Sequence, residues 1–192
     1  MGLNLPNCLT WLRIVLIPVL GLMFLLPYPW SNAIAAAVFT IAAVTDWLDG
    51  YLARRWHQTS VFGAFLDPVA DKLIVAVALV VILTGAPTVY VAFPVAVIIG
   101  REIAVSALRE WMAEIGQRTH VSVGIMGKIK TVAQMIAIIL LLYEAPVFGI
   151  STFTVGLWLL YVAAVLTIYS MIIYLHAAWR GLEGSSGDAG TA

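Results

Sequence analysis

Charge is scarce in this chain. Of its 192 residues only 10% are Asp, Glu, Lys or Arg, 62% are hydrophobic, and the mean hydropathy is +1.02. Soluble domains carry roughly a quarter charged residues, so an ordinary water-soluble globule is excluded. Cysteine is nearly absent: Cys8 stands alone, which rules out an internal disulfide and leaves a small apolar residue suited to burial. No basic stripe interleaved with aromatics is present, so nucleic acid is not an expected partner. His57, His120 and His176 lack any metal-ligand spacing and read as surface or interfacial histidines. No repeat is visible, and the tail, Gly181–Ala192, is rich in Gly, Ser and Ala and is expected to be disordered.

What the chain does have is long apolar runs. A bilayer crossing needs roughly 20 such residues. Six spans are predicted, at about 9–27, 32–54, 64–86, 88–114, 122–143 and 150–178. The expected fold is therefore all-α, a polytopic membrane bundle in a single unit over residues 1–180. Arg13 lies inside the first span and no small-residue cleavage site follows it, so that span does not read as a cleaved signal peptide. Arg13, Arg54, Arg55, Lys72, Arg101, Arg109, Arg118, Lys128, Lys130 and Arg180 all fall on one side of such a bundle. The opposite turns, near 27–31, 84–88 and 144–150, contain no basic residue. The positive-inside rule then places both termini in the cytosol. Tyr28, Trp30, Tyr90 and Tyr143 fall near the outer turns, where interfacial aromatics belong.

Against this background, four aspartates between positions 46 and 71 demand a reason. They form D-x-x-D-G-x-x-A-R and, after eight residues, G-x-x-x-D-x-x-x-D: Asp46, Asp49, Gly50, Ala53, Arg54, Gly63, Asp67 and Asp71. Carboxylates are expensive at membrane depth. Hard divalent cations, which prefer oxygen ligands, would supply the reason. Counting from Asn32 at about 1.5 Å per residue, Asp46 lies roughly 21 Å along its helix. The hydrocarbon layer is about 30 Å thick, so this is its cytosolic third, where a lipid headgroup and a water-soluble substrate can meet. Asp46 and Asp49 are three apart and Asp67 and Asp71 four apart, so each pair shares a helix face. Gly50 and Ala53 are small enough for close approach of a ligand, and Arg54 is placed to meet phosphate. Two such helices can hold two divalent ions against a pyrophosphate. The alternative is an ion-pair network with Arg54, Arg55 and Lys72, which leaves surplus carboxylates in search of partners. Ser31 is a candidate cap for the second helix, and Pro68 fits a first helical turn or a kink.

These eight positions match, without departure, the signature of the CDP-alcohol phosphotransferase family, which the chain resembles. Further stretches resemble that family's bacterial phosphatidylglycerophosphate synthases: NLPNCLTWLR at 4–13, GAFLDPVADKL at 63–73, REIAVSALREW at 101–111 and GKIKT at 127–131. The resemblance implies a six-helix homodimeric enzyme of the bacterial inner membrane, with its active site facing the cytosol and two Mg²⁺ or Mn²⁺ ions. The implied reaction joins CDP-diacylglycerol and sn-glycerol 3-phosphate, giving phosphatidylglycerophosphate and CMP. It assigns Asp46, Asp49, Asp67 and Asp71 to the metals, Asp71 also as general base, and Gly50, Ala53, Arg54 and Gly63 to the CDP pocket.

Glycerol 3-phosphate needs a cationic pocket near the metals. Arg101 and Arg109, about two turns apart on one helix, and Lys128 and Lys130 at the start of the next are the candidates for its phosphate. Positive-inside anchoring, or pairing with Glu102, Glu110 and Glu114, explains the same residues differently. Asn7, Thr10 and Arg13 form a polar strip at the mouth of the first span, as headgroup contacts or as caps and anchors. Two rival functions follow. One keeps the chemistry with another acceptor, inositol phosphate or serine. The other is divalent-cation transport, which intramembrane carboxylates would suit but which the apolar outer halves of the spans disfavour.

Overall fold

A computed structural model describes residues 5–56, 61–114 and 125–188; His57, His120 and the last four residues lie outside them. For Asn7, Asp49, Gly50, Ala53, Arg54, Gly63 and Lys128 the helical backbone alone is described. The described chain is all-helical, with six helices in sequence: α1 Leu5–Leu25, α2 Ser31–Trp56, α3 Val61–Gly85, α4 Val89–Glu114, α5 Ile125–Tyr143 and α6 Thr152–Asp188. Each coincides with one predicted apolar run. Proline punctuates the turns at Pro27, Pro29, Pro87 and Pro146, where a missing N–H and a fixed φ end a helix. The α5–α6 turn is tight: Val147 and Ile150 exchange backbone hydrogen bonds of 3.1 and 3.0 Å, and Gly149 takes φ +78°. Ser151 then caps α6, its Oγ accepting the Thr154 N–H at 3.3 Å.

Two details differ from expectation. Ser31 opens α2, but its hydroxyl donates backwards to the Tyr28 carbonyl at 2.7 Å instead of accepting from the helix. The last helix runs on to Asp188, through most of the stretch expected to be disordered. Extending an existing helix adds one hydrogen bond for each residue fixed, so a polar tail can follow an apolar helix without a new nucleus.

Among the described residues, three helices are long and apolar enough to cross a membrane, over Ser31–Leu48, Val89–Glu114 and Thr152–His176. Leu9–Met23 and Ile129–Tyr143 form shorter apolar stretches. The surface agrees: Val15, Leu22, Val80, Phe93, Ile103, Trp158, Val165 and Ile172 are all exposed. So broad an apolar exterior would aggregate in water and suits a lipid solvent. Inside, small and aliphatic residues meet: Ala35, Ala36, Ala42, Ala78, Ala137, Ala163 and Ala164 beside Phe39, Leu79, Ile98, Ile138 and Leu160. In lipid, helices associate through close packing of this kind. α1 rests on α2 and α3, α5 on α2 and α6, and α4 on α6, so α1, α2, α3 and α5 border one space.

α5 and α6 pack closely at Gly156. A Cβ there would lie 2.9 Å from Leu141 Cγ, 3.1 Å from the Ala137 carbonyl and 3.1 Å from Leu140 Cβ. The carbonyl is fixed by its helix, so relief requires the helices to part. Gly156→Ala is expected to lose about 1–3 kcal/mol by overpacking, read as a lower unfolding midpoint in detergent. An unchanged midpoint would show that α5 and α6 separate freely.

Candidate active site

Asp46, Asp67 and Asp71 each meet a side chain of α1. Arg13 is only 1% exposed although it is among the longest side chains in the protein. Its Nη1 donates to Asp71 Oδ1 on α3 and lies 3.1 Å from Asp46 Oδ1 on α2. Three residues earlier, and so on the same face of α1, Thr10 Oγ1 donates to Asp67 Oδ1. One helix face thus ties together carboxylates from two others. Of the residues considered for an ion-pair network, the side chains of Arg54 and Arg55 lie outside those described. Lys72 Nζ donates to Ser106 Oγ on α4 at 2.5 Å.

Behind Arg13 lies a cavity of about 200 Å³. Its polar wall consists of Arg13, Asp46, Asp71, Lys72, Glu102, Lys130, Thr131 and Gln134; Phe39, Ala42, Ala43, Ile74, Val75 and Met135 form the apolar part. Three cations and three carboxylates therefore line it. Lys130 is buried, with Nζ 3.4 Å from Glu102 Oε1. The same oxygen receives Arg101 Nη1 at 2.7 Å. Arg101 stands behind Glu102 and not on the cavity wall; its Nη2 donates to Ser170 Oγ at 3.1 Å. Arg109 is directed elsewhere: Nη2 donates to Tyr174 Oη at 3.2 Å, and the guanidinium lies over that ring, 5.6 Å from its centroid. Of the residues predicted for the acceptor phosphate, the structure brings Lys130 to the aspartates, with Arg101 one shell removed, and does not bring Arg109. Glu102 and Gln134 complete the cavity. Glu102 entered the sequence reading only as a charge partner, and Gln134 not at all, since a single amide in an apolar helix carries no motif.

A second groove, of about 350 Å³, runs between α2 and α5. Val44, Trp47, Val132, Ile136 and Ile139 make it almost wholly apolar. It shares Ala43, Asp46, Thr131 and Met135 with the polar cavity, so an apolar channel ends at a carboxylate.

The donor set suits a hard divalent cation. Asp46 and Asp71 are partly exposed, with side chains 43% and 40% accessible, and their oxygens already meet around one positive group. Among the described residues no set of three His, Cys, Asp or Glu side chains gathers closely enough to hold a metal; the Asp49 side chain is not among them.

The chain is similar to known proteins over most of its length. The family model for CDP-alcohol phosphatidyltransferase matches residues 3–169. The CDP-diacylglycerol–glycerol-3-phosphate 3-phosphatidyltransferase of Sodalis glossinidius (strain morsitans) is 53% identical over 184 residues, covering 95% of this chain and 98% of the relative. The enzyme of that name from Shigella flexneri serotype 5b is 52% identical over 178 residues, 93% of this chain and 96% of its own. That from Yersinia enterocolitica is 52% identical over 182 residues, with 95% and 98% covered.

Proposed function

The chain belongs to the CDP-alcohol phosphatidyltransferase family, and on that premise we propose that it transfers the phosphatidyl group of CDP-diacylglycerol to sn-glycerol 3-phosphate in phospholipid biosynthesis. The products are phosphatidylglycerophosphate and CMP. The observation that carries the reading is the junction at Asp46, where an apolar groove meets a charged cavity. A substrate with acyl chains and a pyrophosphate needs both. Its chains can stay in the groove between α2 and α5 while its headgroup reaches the aspartates. In this reading all six helices cross the bacterial inner membrane, both termini are cytosolic, and the enzyme is a homodimer.

Asp46, Asp49, Asp67 and Asp71 would hold two Mg²⁺ or Mn²⁺ ions. When bound, the ions neutralise the pyrophosphate and disperse the charge that develops on CMP as it leaves. Every other step falls to side chains. Gly50, Ala53, Arg54 and Gly63 form the CDP pocket, the first two leaving room for the nucleotide and Arg54 meeting its phosphates. Asp71 takes the proton of the acceptor hydroxyl. The hydroxyl oxygen attacks the phosphorus bearing diacylglycerol, and the bond from that phosphorus to the CMP oxygen breaks. The transfer is one direct displacement without an aspartyl-phosphate. Thr10 and Arg13 hold Asp67 and the Asp46–Asp71 pair in register.

The acceptor phosphate belongs with Lys130, alongside Lys128. Arg101 supports Lys130 through Glu102. Lys130→Met is expected to raise KM for glycerol 3-phosphate about tenfold or more, as loss of a charge-assisted hydrogen bond does, with KM for CDP-diacylglycerol held. Arg109→Gln is expected to change either KM by less than about twofold, because its partner is Tyr174. Equal effects of the two substitutions on the acceptor KM would remove Lys130 from this role.

The function is tested by CMP release from purified protein in detergent, with CDP-diacylglycerol, Mg²⁺ and a panel of glycerol 3-phosphate, inositol phosphate and serine. Turnover confined to glycerol 3-phosphate is expected. Turnover with another acceptor would keep the chemistry and change the substrate. Metal uptake by proteoliposomes without CMP release would indicate transport.

A further inference from the structure

We propose that Gln134 recognises the hydroxyl of the acceptor that does not react, and so helps to select the acceptor; the inference rests on the phosphatidyl-transfer reading above. Gln134 lies on α5 one helical turn beyond Lys130, so both project from the same face. Both line the cavity that Asp71 borders from α3. Gln134 is 95% buried, being 5% exposed. A carboxamide offers two donor hydrogens and an acceptor oxygen, yet no partner meets them among the described residues. The other polar side chains on the cavity wall are all engaged. Arg13 holds Asp46 and Asp71, Lys72 holds Ser106, Glu102 holds Lys130, and Thr131 donates to the Gly127 carbonyl. The polar atoms of Gln134 are not among those sealed away without a partner, so they open onto the cavity, where a substrate group can meet them.

The chemistry identifies that partner. Phosphate calls for a cation, which Lys130 supplies, and the attacking hydroxyl calls for a base, which Asp71 supplies. Gln134 is neutral and can donate and accept together. That matches a hydroxyl, which also does both. Glycerol 3-phosphate has one such group, on its middle carbon. With phosphate at Lys130 and the terminal hydroxyl toward Asp71, the middle carbon falls within the same cavity of about 200 Å³.

The test compares glycerol 3-phosphate with 3-hydroxypropyl phosphate, which keeps the phosphate and the attacking hydroxyl but lacks the middle one. CMP release is measured for the wild type, Gln134→Met and Gln134→Leu, each shown to be monodisperse in detergent. The wild type should favour glycerol 3-phosphate in kcat/KM by about fivefold or more, as for one well-placed hydrogen bond. In the variants the ratio should fall to within about twofold of unity, through loss with glycerol 3-phosphate alone. An unchanged ratio overturns the proposal. So does a parallel loss with both acceptors, or failure of both variants to fold, since either makes Gln134 a packing residue. If the wild type releases CMP with neither acceptor, the phosphatidyl-transfer reading itself fails, a distinct result.

Discussion

Asp71→Asn is expected to lower kcat by about 10³-fold or more while the protein stays folded, since positioned general bases contribute roughly 10²–10⁴ and this carboxylate also serves the cations. The amide has the size of the carboxylate and can still accept from Arg13, so the bundle keeps its packing. It cannot take a proton from an attacking hydroxyl. KM for glycerol 3-phosphate should change little, because Lys130 and Gln134 remain in place. Single-turnover CMP release separates this loss from slow product release. Asp67→Asn should be milder, for Thr10 Oγ1 can donate to an amide oxygen as it does to the carboxylate. If Asp67→Asn were the more damaging of the two, the base would have to be reassigned.

Removing Arg13 is expected to have the largest effect on stability. Its guanidinium is buried and lies between carboxylates contributed by α2 and α3. Arg13→Met keeps the length and apolar stem of the side chain but leaves Asp46 and Asp71 facing each other with no cation between them. Breaking a buried pair in this way loses about 3–5 kcal/mol; the lower end is expected, because the two carboxylates are themselves partly accessible. Thermal unfolding in detergent with a chelator should show a clearly reduced Tm. Added Mg²⁺ should restore more of the Tm in Arg13→Met than it adds to the wild type, because the ions would neutralise the same oxygens. Equal Tm values for the two proteins in chelator would contradict the structural role of Arg13, and equal Mg²⁺ gains would detach the ions from this carboxylate pair.

Much of this molecule can be read before its coordinates. Apolar runs bounded by Pro27, Pro29, Pro87 and Pro146 define the helices, since few other structures suit such sequences. Helical spacing puts Asp46 with Asp49 and Asp67 with Asp71 on shared faces. What spacing does not tell is which neighbouring helix each face meets. Arg13 therefore reads as a headgroup contact or an anchor at the mouth of α1, and only the packing of α1 on α2 and α3 turns it into the partner of two aspartates. For the same reason Arg101 and Arg109, two turns apart, read as one cationic patch. The packing of α4 on α6 gives them Ser170 and Tyr174 instead. Gln134 was hidden by composition: an amide among Ile, Ala and Met at membrane depth has meaning only once the cavity beside it is seen. The tail misled through its glycines and serines, whose weak helix propensity did not end α6 before Asp188.

The central claim is that the aspartate cluster performs phosphatidyl transfer with the help of divalent cations. Its most direct test is CMP release from CDP-diacylglycerol and glycerol 3-phosphate by purified protein, first in excess chelator and then with Mg²⁺ restored. Turnover should be absent in the chelator, return with Mg²⁺, and stay negligible in Asp71→Asn under both conditions. Undiminished turnover in the chelator, or full Mg²⁺-dependent turnover by Asp71→Asn, would contradict it.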